Sequence, residues 1–95
     1  MDNITKYIPV GRENAISRKR LAAITGMSDR KVRACISEAR ERGTAICANT
    51  VTGGYYMAES EADVRLLLGE LRSRIAKLRA CYVAVLSKRD KELAS

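Results

Sequence analysis

Apolar positions along this chain fall into two short helical patterns, a pair of strand-like segments and one long helical pattern. At the start, "NITKYI" (Asn3 to Ile8) places Ile4, Tyr7 and Ile8 on one side of a short helix. Pro9 ends it, because the residue before a proline avoids the helical region. Gly11 to Asn14 reads as a polar connection, and "AIS" adds a short extended segment before Ser17. Ser17 is a suitable cap for "RKRLAAIT", in which Leu21 and Ile24 face inward and Ala22 lets a neighbouring helix approach closely. Gly26 stops this helix and turns the chain sharply, since glycine takes the left-handed conformation at little cost. Met27 then buries at the corner and Ser28 caps a second helix, whose Val32, Cys35, Ile36 and Ala39 recur at helical spacing up to Gly43.

The pattern changes at Ala45. "AICAN" and "GYYMA" are short and rich in β-compatible residues, and "TVTG" with Gly53 and Gly54 supplies a permissive turn between them, so the pair predicts a hairpin. In a regular strand Tyr55 and Tyr56 point to opposite sides, one packed on the domain and its neighbour exposed. Ser60 with Asp63 makes a capping box for a last helix from Glu61 to about Leu93. Along it Val64, Leu68, Leu71, Ile75, Leu78, Tyr82 and Val85 alternate in steps of four and three, a coiled-coil-like seam. Such a helix reaches about 50 Å, longer than the body of a domain this small, so part of the seam needs another surface. Lys88 to Ser95 is expected to fray.

Composition supports a mainly helical reading. The 95 residues include neither Trp nor Phe, so the core is built from Leu, Ile, Val and Ala. Lys and Arg number 18 against 11 Asp and Glu, a surplus that favours polyanionic partners. Most of it lies early: residues 1–58 hold ten basic and five acidic side chains, and 59–95 hold eight and six. Cys35, Cys47 and Cys81 form no C-x-x-C pair, and the absence of His removes the usual complement of a zinc site, so all three read as reduced thiols filling apolar gaps. Glu59, Glu61 and Asp63 suggest a cation site, but capping and the helix dipole explain them sufficiently. No metal or other cofactor is expected. Without His, a Ser or Cys nucleophile lacks its commonest base, and no phosphate-cradling loop is present, so catalysis is disfavoured. No signal core or membrane-length apolar run stands in the sequence, which suggests a bacterial-type cytoplasm.

Leu21, Ala22, Gly26, Met27, Val32 and Cys35 fit the general helix-turn-helix spacing. With the hairpin that follows Gly43, the chain resembles a winged helix-turn-helix domain of the kind at the N-terminus of biotin-operon repressors. More narrowly, "IPVGRENAISRKRLAAITGMSDRKVRACISEARERG" followed by "ICA" and "GYYMAES" is similar to a family of small winged-helix proteins of phages and prophages, over Ile8 to Leu71. The fold so implied is mainly α with a small β-hairpin, a winged helix-turn-helix domain over 1–58; the long C-terminal helix over 59–95 is read, from its seam and its length, as the dimerisation element.

With Val32, Ile36 and Ala39 inward, the second helix (28–42) turns Arg30, Arg33, Ala34 and Ser37 outward, and its N-terminus can approach a phosphate. Arg30 and Arg33 are the candidates for base reading, because a guanidinium donates twice to guanine O6 and N7. Ser17, Arg18, Lys19 and Arg20 read as phosphate contacts, with Ser28 and Lys31 in support. Asp29 either accepts from cytosine N4 or stabilises its helix. Asn49, Thr50 and Thr52 at the hairpin tip are placed to touch a groove or phosphate.

These features point first to a regulator that binds double-stranded DNA as a homodimer, paired through Val64, Leu68, Leu71, Ile75, Leu78, Tyr82 and Val85. Arg72, Arg74, Lys77 and Arg79 are left for the polar flanks of that pair. The alternative is a phage-encoded interaction protein that uses the same scaffold to inhibit a host protein, for example one of a defence system.

Overall fold

Two serines and a glycine organise the first half of the molecule. In the computed structural model, which describes residues 4–94, strand β1 (Ile16–Ser17) leads directly into α1 (Arg18–Thr25). The Ser17 hydroxyl accepts from the Arg20 N–H at 3.1 Å, satisfying one of the free donors of the first turn. Gly26 then adopts φ 74° and donates its N–H to the Ala22 carbonyl at 2.9 Å. A side chain there would meet no neighbour within 4 Å, so the preference for glycine comes from the backbone alone. Ser28 repeats the cap for α2 (Asp29–Glu41), its hydroxyl accepting from the Lys31 N–H at 3.1 Å.

Short 3-10 turns at Ile4–Tyr7 and Arg12–Asn14 precede β1, in place of one short helix; the expected start at Asn3 lies outside the described residues. Ile4 and Ile8 are buried against α2 while Tyr7 is more than a third exposed. After α2 come β2 (Ile46–Asn49), β3 (Gly54–Met57) and α3 (Glu61–Ala94). The hairpin is part of a three-stranded antiparallel sheet in the order β1-β3-β2, in which Ile16 and Ala48 both face Tyr55, and Cys47 faces Tyr56. Gly54 is therefore a strand residue and not part of the turn. A Cβ on it would stand 3.1 Å from Ala15 Cβ and from the Ile16 carbonyl oxygen, so a bare backbone is what lets β1 lie against β3.

The sheet separates two apolar clusters. On one face Leu21, Val32, Cys35, Ile36, Ala39 and Ile46 pack with Ile4 and Ile8, and Tyr55 and Met57 lean against them. On the other face Cys47, Tyr56 and Leu67 form a smaller cluster, joined by Leu71. Both tyrosines are thus occupied in packing, on opposite sides, and neither is left exposed. Burial raises the pKa of the Cys47 thiol and of the Tyr56 phenol. Cys81, by contrast, is exposed on α3 and fills no gap. Ile24 is also about half exposed: α1 presents Leu21 to the core and leaves Ile24 on an open groove with Tyr7, Pro9 and Ile16.

The Ser60 hydroxyl caps α3 by accepting from the Asp63 N–H at 3.3 Å, and the Asp63 carboxylate reaches back to the Glu59 N–H at 2.9 Å, one residue before the cap. The helix continues through Lys88 to Ala94 without the expected fraying, with Lys91 complementing the negative end of its dipole; Ser95 lies outside the described residues. Only its first turns touch the sheet, and residues 72–89 are exposed throughout. Among the described residues no helix is long and apolar enough to cross a membrane.

Two pairs of substitutions separate these roles in urea unfolding. Gly26→Ala should lower stability by about 1 kcal/mol, while Gly69→Ala, mid-helix with open space around it, should raise it by about 0.5–1 kcal/mol. Leu67→Ala should cost about 2–3 kcal/mol, whereas Leu68→Ala, on the exposed side of α3, should stay within about 0.5 kcal/mol of the parent.

Candidate nucleic-acid interface

The first turns of α1 and α2 carry Arg18, Lys19 and Arg20, and Arg30, Lys31 and, half a turn on, Arg33. A helix N-terminus is the positive end of its dipole and favours acids, so cations gathered there work against the helix. Asp29 is the one acid in either first turn. Its two oxygens are divided between the helices: Oδ1 pairs with Arg18 Nε, and Oδ2 lies 3.1 Å from Arg33 Nη2 in a second ion pair. One carboxylate therefore joins a guanidinium from the start of α1 to another from α2, across the corner that Gly26 makes.

Tyr55 adds a third element to this cluster. Its phenol, ahead of the Asp29 hydrogen bond and charge, raises the pKa of the Arg18 guanidinium. Alternation along β3 separates Tyr55 from Tyr56 but does not say which of them packs, and the charged neighbour of Tyr55 depends on where the strand meets the helix.

The remaining cations are free of ion pairs among the described residues. Lys19, Arg20, Arg30 and Lys31 are exposed, as are Ser28 and Ser37 and the intervening Ala34. Arg20 lies on a different side from Arg18, over the groove bordered by Ser17, Asn14 and Tyr7. Further along α2 the surface changes sign with Glu38 and Glu41, and Arg40 turns inward, donating from Nε to the Ile46 carbonyl at 2.9 Å. Burial, then the neighbouring Arg74, lowers the Arg40 pKa. The cationic surface is therefore confined to the N-terminal half of α2 and the start of α1.

The hairpin tip differs from expectation. Asn49 is buried, and its Oδ1 accepts from the Val51 N–H at 3.0 Å and the Thr52 N–H at 3.3 Å. It shapes the turn from within through Oδ1, since Asn is a side chain that commonly mimics a backbone turn. Thr52 is exposed but its hydroxyl accepts from the Gly54 N–H at 3.4 Å, and Thr50 borders a small cleft with Arg12, Leu66 and Glu70. Between the two threonines the uncharged Val51 is 83% exposed.

Of the seam predicted on α3, Val64 and Leu71 are half-buried, the latter against the sheet, and the side chain inserted most deeply is Leu67, which the seam omits. Leu68 is exposed, and Ile75, Leu78, Tyr82 and Val85 are each about two-thirds exposed. No family model matches this chain, and neither a curated protein nor a solved structure does so.

The two roles open to Asn49 are separable. Asn49→Ala should reduce stability by about 1–2 kcal/mol in urea unfolding, and Thr50→Ala, at the exposed position beside it, should change it by less than about 0.5 kcal/mol.

Proposed function

We propose that the chain is a winged helix-turn-helix protein of the phage and prophage kind that binds double-stranded DNA. In this reading α2 enters the major groove, the first turn of α1 lies against the sugar-phosphate backbone, and β2 with β3 is the wing. One observation carries it: six cations occupy the opening turns of two helices joined by a tight corner, where they oppose the helix dipoles. A phosphate placed there reverses the sign of the interaction, pairing with the side chains and with the dipole together.

Asp29 has a defined part in such a mechanism. It orders Arg18 and Arg33 before DNA arrives, which lowers the entropy lost on binding. As an exposed pairing it is weakly held and gives way easily to phosphate and base edges. Arg30 and Arg33 then read bases, while Arg18, Lys19 and Arg20 set the register on the backbone. Thr50 and Thr52 supply at most uncharged contacts from the wing. The uncharged tip with Val51 exposed favours a second reading, in which the same scaffold binds a protein of the host cell.

Anisotropy titrations with a duplex enriched from a random pool test the DNA reading. Arg30→Ala or Arg33→Ala should reduce discrimination at one base pair by about 1–3 kcal/mol. Lys19→Ala should weaken binding to all duplexes alike and lower the log–log salt slope by about 1. Asp29→Asn, which removes an acid but also releases Arg18 and Arg33, should raise affinity for random duplexes and reduce discrimination in favour of the enriched one. A chain that binds no duplex even at low salt refutes the DNA reading, and retention of a host protein by the Arg30→Ala, Arg33→Ala double variant then supports the second.

A further inference from the structure

Beyond Leu71 the last helix leaves the body and presents an apolar seam with nothing over it: Ile75, Leu78, Tyr82 and Val85, all exposed. Over residues 72–89, about 27 Å of helix, every side chain faces solvent. Partner helices reach such a seam through the positions that border it on either side, and these set which partner is accepted. On one border stand Arg65, Arg72, Arg79 and Leu86, and on the other Leu67, Arg74, Cys81 and Lys88. Neither border holds an acid. Between Leu71 and Arg89 there are six basic residues, Arg72, Arg74, Lys77, Arg79, Lys88 and Arg89, and no Asp or Glu.

A second copy of this chain is consequently a poor occupant. In a parallel pair the border residue Arg74 of one copy meets Arg79 of the other; in an antiparallel pair each border meets itself, again base on base. No register yields an opposite-charge pair across the seam. The rest of the molecule offers no remedy, since residues 1–58 carry ten basic and five acidic side chains. A lipid surface fits less well too. A helix lying on a bilayer keeps a strongly polar face toward water, but opposite this seam Lys77 is the one charged side chain among Ser73, Ala76, Ala80, Val83, Ala84 and Ser87.

We infer that the exposed length of α3 docks an amphipathic helix of a different protein, one whose apolar seam is bordered by Glu and Asp. Arg72 and Arg79 on one side and Arg74 and Lys88 on the other select for that partner, and the same charges keep two copies of this chain apart. Ile75, Leu78, Tyr82 and Val85 supply the buried contact. The inference rests on α3 and is independent of what α1 and α2 bind.

The test uses the full chain and three probes: a synthetic helical peptide of about four heptads with Ile and Leu in the seam and Glu on both borders, the same peptide with Lys on the borders, and vesicles of phosphatidylserine in phosphatidylcholine. At low salt the Glu peptide should bind at least about tenfold more tightly than the Lys peptide. Arg72→Glu, Arg74→Glu, Arg79→Glu together should remove that preference, and Leu78→Asp, Tyr82→Asp should abolish peptide binding. Circular dichroism and DNA titration of the same variants should match the parent, which separates failure of this inference from failure of the DNA reading. Sedimentation of the chain alone at tens of micromolar should give the mass of one copy. Equal affinity for the two peptides, peptide binding that survives the seam variant, a stable dimer, or seam-dependent binding to the vesicles without binding to the Glu peptide would each overturn it.

Discussion

The alternation of side chains along β3 is the constraint on which the rest of the molecule depends. Successive residues of a strand point to opposite faces, so Tyr55 goes to the α1 and α2 side while Tyr56 goes to the α3 side. With only four residues, β3 contributes to both apolar clusters, as β2 does through Ile46 and Cys47. A slip of one residue in its pairing with β2 would exchange the two tyrosines and disturb both clusters together. Gly54 protects the register from the other edge, because the approach of β1 leaves no room for a side chain at that position.

The cationic surface follows from that arrangement. Packing of α1 and α2 on one face of the sheet brings their N-termini near each other, and the Gly26 corner keeps the connection short. Arg18 then falls within reach of both Tyr55 and Asp29, and Arg33 shares the same carboxylate. A group of side chains from β3, α1 and α2 is assembled with no contribution from the hairpin tip, whose one buried polar side chain is used to hold its own turn. On the α1–α2 pair the positive charge is therefore gathered where the two helices begin, apart from the second basic stretch that lies along the distal part of α3.

The last helix divides its labour along its length. Its first turns supply Leu67 and Leu71 to the sheet and close the smaller cluster, and beyond them the apolar stripe continues with no body left to cover it. Proximal stability and distal recognition are thus carried by one helix with little overlap between the residues involved. The charge borders of the distal part contain only bases, which makes the choice of partner an electrostatic matter as much as an apolar one.

Local rules were enough for much of this protein. Ser17, Ser28 and Ser60 announced helix starts and Gly26 and Gly43 their ends, because capping and left-handed φ depend on a few adjacent residues. The periodicity of Val32, Cys35, Ile36 and Ala39 gave the inner face of α2 for the same reason. What the sequence could not disclose was decided by contacts between segments distant in the chain. Leu67, not Leu68, became the anchor of α3 because the curvature and placement of the sheet, absent from any heptad count, determine which side of the helix is covered. Ile24 was left on a groove and Tyr55 was set beside Arg18, each by the position of a neighbour that lies elsewhere in the sequence, whereas Asn49 was drawn in by the Val51 and Thr52 N–H groups of its own turn. Spacing along the chain dictates which faces exist; only the packed structure settles which of them meet.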